Sequence, residues 1–269
     1  MTHFKSPVRY NQGPSGGLGK ASEFAGLPIG MEALAKYYTF DPFAQVNVDT
    51  IPGAAEEPGQ GWVATAVNTS TITASDDITP PRMQFITDAA ENDGIQAQYT
   101  AASGAGDFFK LVSGKLRYFE CSFLLHDAND DADTVEQCDL FFGMAKADTT
   151  LLVGSTDYIG FHKADGSGVV NFVAGKNSTT MGDQISQSTG VTLAASNAGS
   201  GSANLNSFSF VATGTQTVFV YANGNFVATV ENLTQLPDDE QLAPSMAFLS
   251  GEAVVKKMDV ARFVTSIEL

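Results

Sequence analysis

An antiparallel all-β fold is what this sequence predicts, on three observations. The first is the segment TVFVYANGNFVATV, residues 217–230. Val218, Val220 and Ala222 alternate there with Phe219 and Tyr221, Asn223-Gly224 supplies a turn, and Phe226–Val230 returns. An Asn-Gly pair tolerates positive φ at both central positions, so it closes a two-residue type I′ turn whose twist matches the flanking strands. The second is that the same grammar of short apolar or alternating runs between Gly, Asn and Asp turns recurs through most of the chain. The third is that no internal repeat and no second-domain boundary interrupts it. At 269 residues, the length suits a single large β-sandwich.

Residues 1–36 stand apart. Lys5, Arg9, Lys20 and Lys36 are four of the chain's 14 basic residues, against only Glu23 and Glu32, and glycines and prolines punctuate the segment without a strand period. Residues 30–36 offer at most a short helix. A weakly basic, glycine-rich arm ahead of an acidic body reads as a tail that docks on another surface, or as a terminus without a task of its own.

Strand signals begin at Tyr37. Residues 37–43 open the body, and 61–65 follow a Pro/Gly/Glu-rich loop. Residues 82–87 and 94–100 pair around the turn Glu91-Asn92-Asp93-Gly94. Residues 115–126 and 138–145 are the strongest core strands. In the former, Arg117, Phe119, Cys121, Phe123 and Leu125 share one face, and Leu116, Tyr118, Glu120, Ser122 and Leu124 the other. Strands at 158–163, 169–174, 208–212, the 217–230 hairpin, 245–249 and 258–267 complete about a dozen. Ala194–Asn206, AASNAGSGSANLN, reads as an exposed low-complexity loop.

Thirty acidic residues against 14 basic ones give a net charge of −16. That field repels nucleic acid and anionic lipid alike, so direct contact with either is not expected. No run of 18 apolar residues exists to cross a membrane as a helix, and the N-terminus lacks the apolar stretch of a secretory signal. Cys121 and Cys138 flank one hairpin loop and could face each other, but two buried free thiols are the preferred reading.

Motifs that carry chemistry are sparse. Gly13–Ser22, GPSGGLGKAS, has five residues between its outer glycines and Ala21 after the lysine, so it lacks the hydroxyl that a phosphate-binding loop uses to hold magnesium. Asp127, Asn129 and Asp131 match the first three alternating oxygens of a calcium loop. Ala132 and Cys138 replace its glycine and its glutamate, leaving either a weak cation site or a solvated hairpin tip. Retaining glucanases of sandwich shape set two carboxylates on one strand face in a Glu-x-Asp-x-x-Glu pattern, roughly 5 Å apart, and this sequence has none. Glu120 stands alone, Glu136 and Asp139 point apart, and Asp238, Asp239 and Glu240 sit in a loop. No catalytic residue is therefore nominated, and the chain is expected not to be an enzyme. His3, His126 and His162 show no metal spacing and read as surface residues. Trp62, Tyr37, Tyr38, Tyr158 and Tyr221 could stack on sugars, but core packing is the expectation for them.

From Tyr37 onward the order of signals resembles concanavalin A-like jelly rolls of the laminin G, lectin and glucanase type. The resemblance rests on Tyr38-Thr39-Phe40-Asp41 before a Trp62 strand, on FECSFLLHD, DLFFGMAKAD and DYIGFHKADGSGVVNFVAGKNST in the middle, and on VFVYANGNFVATV, LAPSMAFLSGE and KKMDVARFV at the end. In detail it is most similar to virion proteins of tailed bacteriophages that decorate or cement the capsid. That resemblance implies a non-enzymatic body at 37–269 on the capsid surface, with the major capsid protein as partner and a homo-oligomer as the assembly, for which a trimer would suit quasi-threefold positions. No cofactor is expected, with calcium at Asp127, Asn129 and Asp131 the weak candidate that their spacing leaves. Arm composition nominates Phe4, Arg9, Tyr10, Lys20 and Phe24 as the capsid-binding residues. A lectin-like carbohydrate-binding module is the alternative expectation.

Overall fold

The computed structural model describes residues 37–40, 62–75, 82–99, 109–127, 136–193, 195–197, 205–231 and 234–268. These residues form two stacked sheets, an antiparallel jelly-roll sandwich as the alternation predicts. The first sheet runs β14 (Asn225–Glu231), β13 (Thr217–Ala222), β12 (Asn206–Thr213), β6 (Leu116–Asp127), β16 (Lys257–Glu268), β4 (Arg82–Ile86) and β3 (Thr71–Ser75). β1 (Tyr37–Phe40) adds to the C-terminal half of β16, and β11 (Ala195–Asn197) pairs parallel with the end of β6. The second sheet runs β10 (Ile185–Thr192), β9 (Val169–Gly175), β8 (Tyr158–Lys163), β7 (Cys138–Ala145), β15 (Ala243–Ser250), β5 (Gly94–Tyr99) and β2 (Trp62–Ala66). A single short helix, α1 (Leu151–Gly154), connects β7 to β8 among the described residues.

The core is a block of phenylalanines drawn from both inner faces. Phe123 of β6 stacks on Phe142 of β7 with ring centroids 4.7 Å apart, and Phe161 of β8 meets Phe208 of β12 at 5.3 Å. Phe119, Phe210 and Phe263 extend the block. Such pairs add about 1 kcal/mol each beyond the area they bury. Cys121 and Cys138 are buried free thiols inside this core. Burial pushes the Cys138 thiol up to about 11 and the Cys121 thiol well above its ordinary value, so neither is a thiolate at neutral pH.

Two pairings and three strands depart from the sequence expectation. β4 and β5 do not pair around their turn, nor do β6 and β7 form a hairpin, because in each case the chain crosses from one sheet to the other. β3 and β10 are edge strands with small polar faces, TITAS and ISQSTGVT, so neither carries the apolar run that marks a core strand. β11 lies inside the stretch read as an exposed loop, and its backbone pairs with Leu125–Asp127 across the sequence. The hairpin turn at Asn223-Gly224 follows the prediction, with φ of 50° and 76° at its two central residues.

Candidate functional site

The hairpin β13–β14 builds the most exposed aromatic feature of the described residues. The two-residue turn makes Tyr221 and Phe226 cross-strand partners. Val218, Val220 and Ala222 point into the core, so Phe219 and Tyr221 face outward with Phe226 beside them. The Tyr221 and Phe226 rings lie 5.8 Å apart and nearly perpendicular, at 71°. Phe226 is 58% exposed, although burying such a ring is normally favourable by about 2 kcal/mol.

Amide and hydroxyl groups surround that pair. The Asn223 amide oxygen accepts the Ser207 N–H at 2.9 Å, and the Asn223 backbone N–H donates to the Ser207 carbonyl at 2.7 Å. The Asn223 side-chain N–H donates to the Asn206 amide oxygen at 3.2 Å, and the Asn225 amide donates to the Asn223 carbonyl at 3.3 Å. The turn is thereby tied to β12 rather than free to swing. One strand inward, Glu120 accepts the Tyr118 hydroxyl at 2.8 Å and meets the Arg262 guanidinium at 3.1 Å. The Ser207 hydroxyl reaches its other oxygen at 3.5 Å. Glu120, solitary in sequence, is thus a buried and neutralised carboxylate at the margin of the aromatic pair.

The outer face of the second sheet is largely paved by its own loops. Phe141, Ala145, Tyr158, Val173 and Ala247 form a second apolar cluster under Leu151 and Met181. Tyr158 is fully buried, and its hydroxyl accepts the Gly182 N–H at 2.7 Å and donates to the Thr180 carbonyl at 2.9 Å. Burial raises its pKa, and hydrogen bonding from Ser178 lowers the pKa of nearby Asp183. Where the paving ends, a groove of about 430 Å³ lies between β2, β5 and residues 147–149. Gln96 accepts the Leu151 N–H at 2.7 Å and Gln98 accepts the Asp148 N–H at 2.8 Å, so two glutamines staple the wall of that groove to the sheet.

At the other end of this face, His162 lies 3.9 Å from Asp139. Burial lowers the imidazole to about 4, with the Lys163 cation adding to the shift. Burial raises Asp139, against the backbone hydrogen bond it accepts from Asp165.

The other nominated residues fall as follows. Phe4, Arg9, Tyr10, Lys20 and Phe24 lie outside the described residues, as do Asn129 and Asp131. Asp127 is the last residue of β6, and its side chain lies outside them too. Among the described residues no group of three or more His, Cys, Asp or Glu side chains is placed to hold a metal ion. The side chains of Trp62, Tyr37 and Tyr38 are likewise outside the described set. Of the stacking candidates, Tyr158 packs in the interior and Tyr221 does not. His126 is a correction: it is buried, not a surface residue, because Asp259 of β16 meets its Nε2 at 2.8 Å. Phe226 was not nominated, though its place after an Asn-Gly turn marks it as the cross-strand partner of Tyr221.

No family profile matches the chain, and no curated protein matches it in sequence. Solved structures match it in fold. A non-specific endo-β-1,3(4)-glucanase from family GH16 superposes with a TM-score of 0.52 at 9% identity, covering 87% of this chain and 92% of that one. A Shewanella oneidensis protein of unknown function gives 0.50 at 12% identity, covering 87% and 86%. A carbohydrate esterase from the Shiga toxin-encoding bacteriophage phi24B gives 0.44 at 14%, covering 78% and 91%. The fold is therefore that of an antiparallel jelly-roll sandwich, the one these solved structures share.

This likeness corrects one expectation. The absence of a glucanase carboxylate pattern and of other catalytic motifs predicts a non-enzyme, yet the sandwich is shared with a glucanase. The expectation of a non-enzyme is therefore withdrawn, since a fold shared with a glucanase does not argue against catalysis. The physical reason is that one strand motif is only one way to gather carboxylates, and sites are grafted on folds from whichever residues the topology brings together. The outer positions of β8 here hold Tyr158, Gly160 and His162, so that strand does not present such a pair itself.

Proposed function

We propose that this jelly roll is a carbohydrate-binding protein whose saccharide seats on the outer face of β12–β14, against Tyr221 and Phe226. The single observation that carries the proposal is an exposed Phe226 ring set against half-buried Tyr221, beside a row of amides and hydroxyls. Sugars present apolar C–H faces that stack on aromatic rings and hydroxyls that bond to amides, so recognition needs both at one place. The surrounding groups, Asn206, Ser207, Asn223 and Asn225, are uncharged, Glu120 is neutralised by Arg262, and the chain carries a net charge of −16. Uncharged glycans suit this setting better than sialylated or sulfated ones.

The test is a glycan array followed by calorimetric titration of the full chain with the best neutral oligosaccharide. Phe226→Ala and Tyr221→Ala are each expected to weaken binding by about tenfold. Binding unchanged in both variants, or absent throughout, refutes the assignment. Following the same mixtures for released reducing ends reads whether bound glycan is also cleaved.

A second reading concerns where the module is displayed. The resemblance of residues 37–269 to phage head proteins, and the contrast between a weakly basic arm and an acidic body, support a capsid-decorating role. In that reading the arm docks on the major capsid protein. An extended segment covers a large area at an entropic cost, which repetition over a symmetric shell offsets through avidity. Mixing the protein with undecorated heads of a related phage and imaging by cryo-electron microscopy tests it. Regular protrusions that vanish on deleting residues 1–30 are expected, and bare heads with the full chain overturn it.

A further inference from the structure

Among the described residues the two main sheet paths end in β14 and β3 and in β10 and β2, and these four strands are not alike. On one flank both edges are interrupted. β10 breaks register with β9 between Ser188 and Thr192, around Gly190 at φ 71°, and β14 breaks register with β13 between Val220 and Tyr221. Bulges of this kind twist an edge away from further pairing, one of the devices by which β-proteins avoid edge-to-edge association. On the opposite flank neither edge has such a break. β2 pairs with β5 in unbroken register over Trp62–Ala66, and β3 pairs with β4 likewise over Thr71–Ser75. Neither strand carries a lysine, a proline or an inward-pointing charge.

Both of these strands are free of charge, and exposed apolar side chains single out β2. Residues 62–75, WVATAVNTSTITAS, contain no ionisable side chain in a chain of net charge −16. Val63 is 51% exposed and Val67, just beyond the strand, is 43% exposed. Two copies of so acidic a protein repel each other over most approaches. A neutral edge is where the repulsion is least, and at physiological salt it is screened beyond about 8 Å.

We propose that β2 is the edge through which two copies of this chain pair, antiparallel about a twofold axis centred on Ala64. That register joins the two second sheets into one continuous sheet. It sets Val63 of one copy opposite Thr65 of the other, a pair of β-branched side chains directly across the strands, a favourable cross-strand combination. Ala64 at the centre faces the core and is 9% exposed, so no bulky group obstructs the axis. An isologous contact of this type closes on itself and ends at a dimer. The groove beside Val63 and Thr65, walled by Ala147, Asp148 and Thr149, then lies along the dimer seam.

Light scattering on the full chain eluting from a sizing column at physiological salt tests the proposal. The expected result is twice the chain mass. Val63→Lys combined with Thr65→Lys places charges on an exposed edge, and is expected to halve that mass while leaving the thermal midpoint nearly unchanged. A wild-type monomer, a trimer, or a lysine variant that stays dimeric overturns the proposal. Should the lysine variant fail to fold, Val63→Cys with Thr65→Cys decides it. Oxidation by copper-phenanthroline is expected to give a linked pair on a non-reducing gel, and a single-chain band overturns it.

Discussion

His126 and Asp259 meet at 2.8 Å across β6 and β16, with both side chains buried beneath the outer face of the first sheet. Gln84 of β4 donates to the other Asp259 oxygen at 2.9 Å, so one carboxylate ties three adjacent strands together. Removing one partner of a buried pair leaves the other uncompensated, whereas replacing both with apolar groups does not. His126→Ala is therefore expected to lower stability by about 3–5 kcal/mol. The double variant His126→Leu with Asp259→Leu should lose much less. Urea unfolding followed by tryptophan fluorescence measures both, and equal losses would remove the pair from the argument.

Acid should weaken the fold through His162. Its imidazole titrates at about 4 in the folded chain, because burial disfavours the imidazolium and Lys163 repels it. An unfolded chain titrates near 6.5, so between these values the unfolded state binds more protons and stability falls as pH falls. The contribution is complete above about pH 6.5 and is lost as pH drops through 4, a total on the order of 3 kcal/mol. Asp139, raised by burial, works in the opposite sense lower in the range. His162→Gln should flatten the slope of unfolding free energy between pH 6.5 and 4. An unflattened slope would assign the acid sensitivity elsewhere.

Gly143 and Gly160 face each other in register on β7 and β8, with the Phe141 ring over both. A Cβ at Gly160 would come within 2.3 Å of the Phe142 carbonyl oxygen, and one at Gly143 within 2.4 Å of the Ile159 carbonyl oxygen. These are backbone atoms, which cannot swing aside as a side-chain tip does. Gly160→Ala is expected to cost about 3 kcal/mol, at the upper end of overpacking penalties. A calorimetric midpoint within two degrees of wild type would show that the strands can separate locally.

The I′ turn carries both stability and the proposed glycan face. Gly224 sits at φ 76°, where a side chain costs about 1–2 kcal/mol. Gly224→Val should lower stability by that amount. It should also weaken saccharide binding, since Asn223 holds Ser207 and Asn206 through the same turn. Loss of stability with unchanged affinity would separate the turn from the site.

The sandwich was legible because its signals are local. A two-residue Asn-Gly turn, a period of two along β6 and the Asp-Gly turn before β9 each act within a few residues of chain. The three strands left unread, β3, β10 and β11, are defined by what they pair with and not by their own polarity. The site was half legible. Tyr221 stood among the stacking candidates, while Phe226 did not, since exposure on a returning strand is a property of pairing.

The sequence by itself determined the all-β class, the core face of β6, the hairpin turn and the buried thiols. All of these follow from local backbone preference and from the alternation of apolar side chains. Only the tertiary structure decided that Glu120 finds Arg262, that His126 finds Asp259, and that Tyr221 and Phe226 share an open face. It alone also decided that the two flanks of the sandwich differ in their edges. Those outcomes depend on strands far apart in the chain meeting in a specific register, and no short stretch of sequence encodes which distant partner will be opposite.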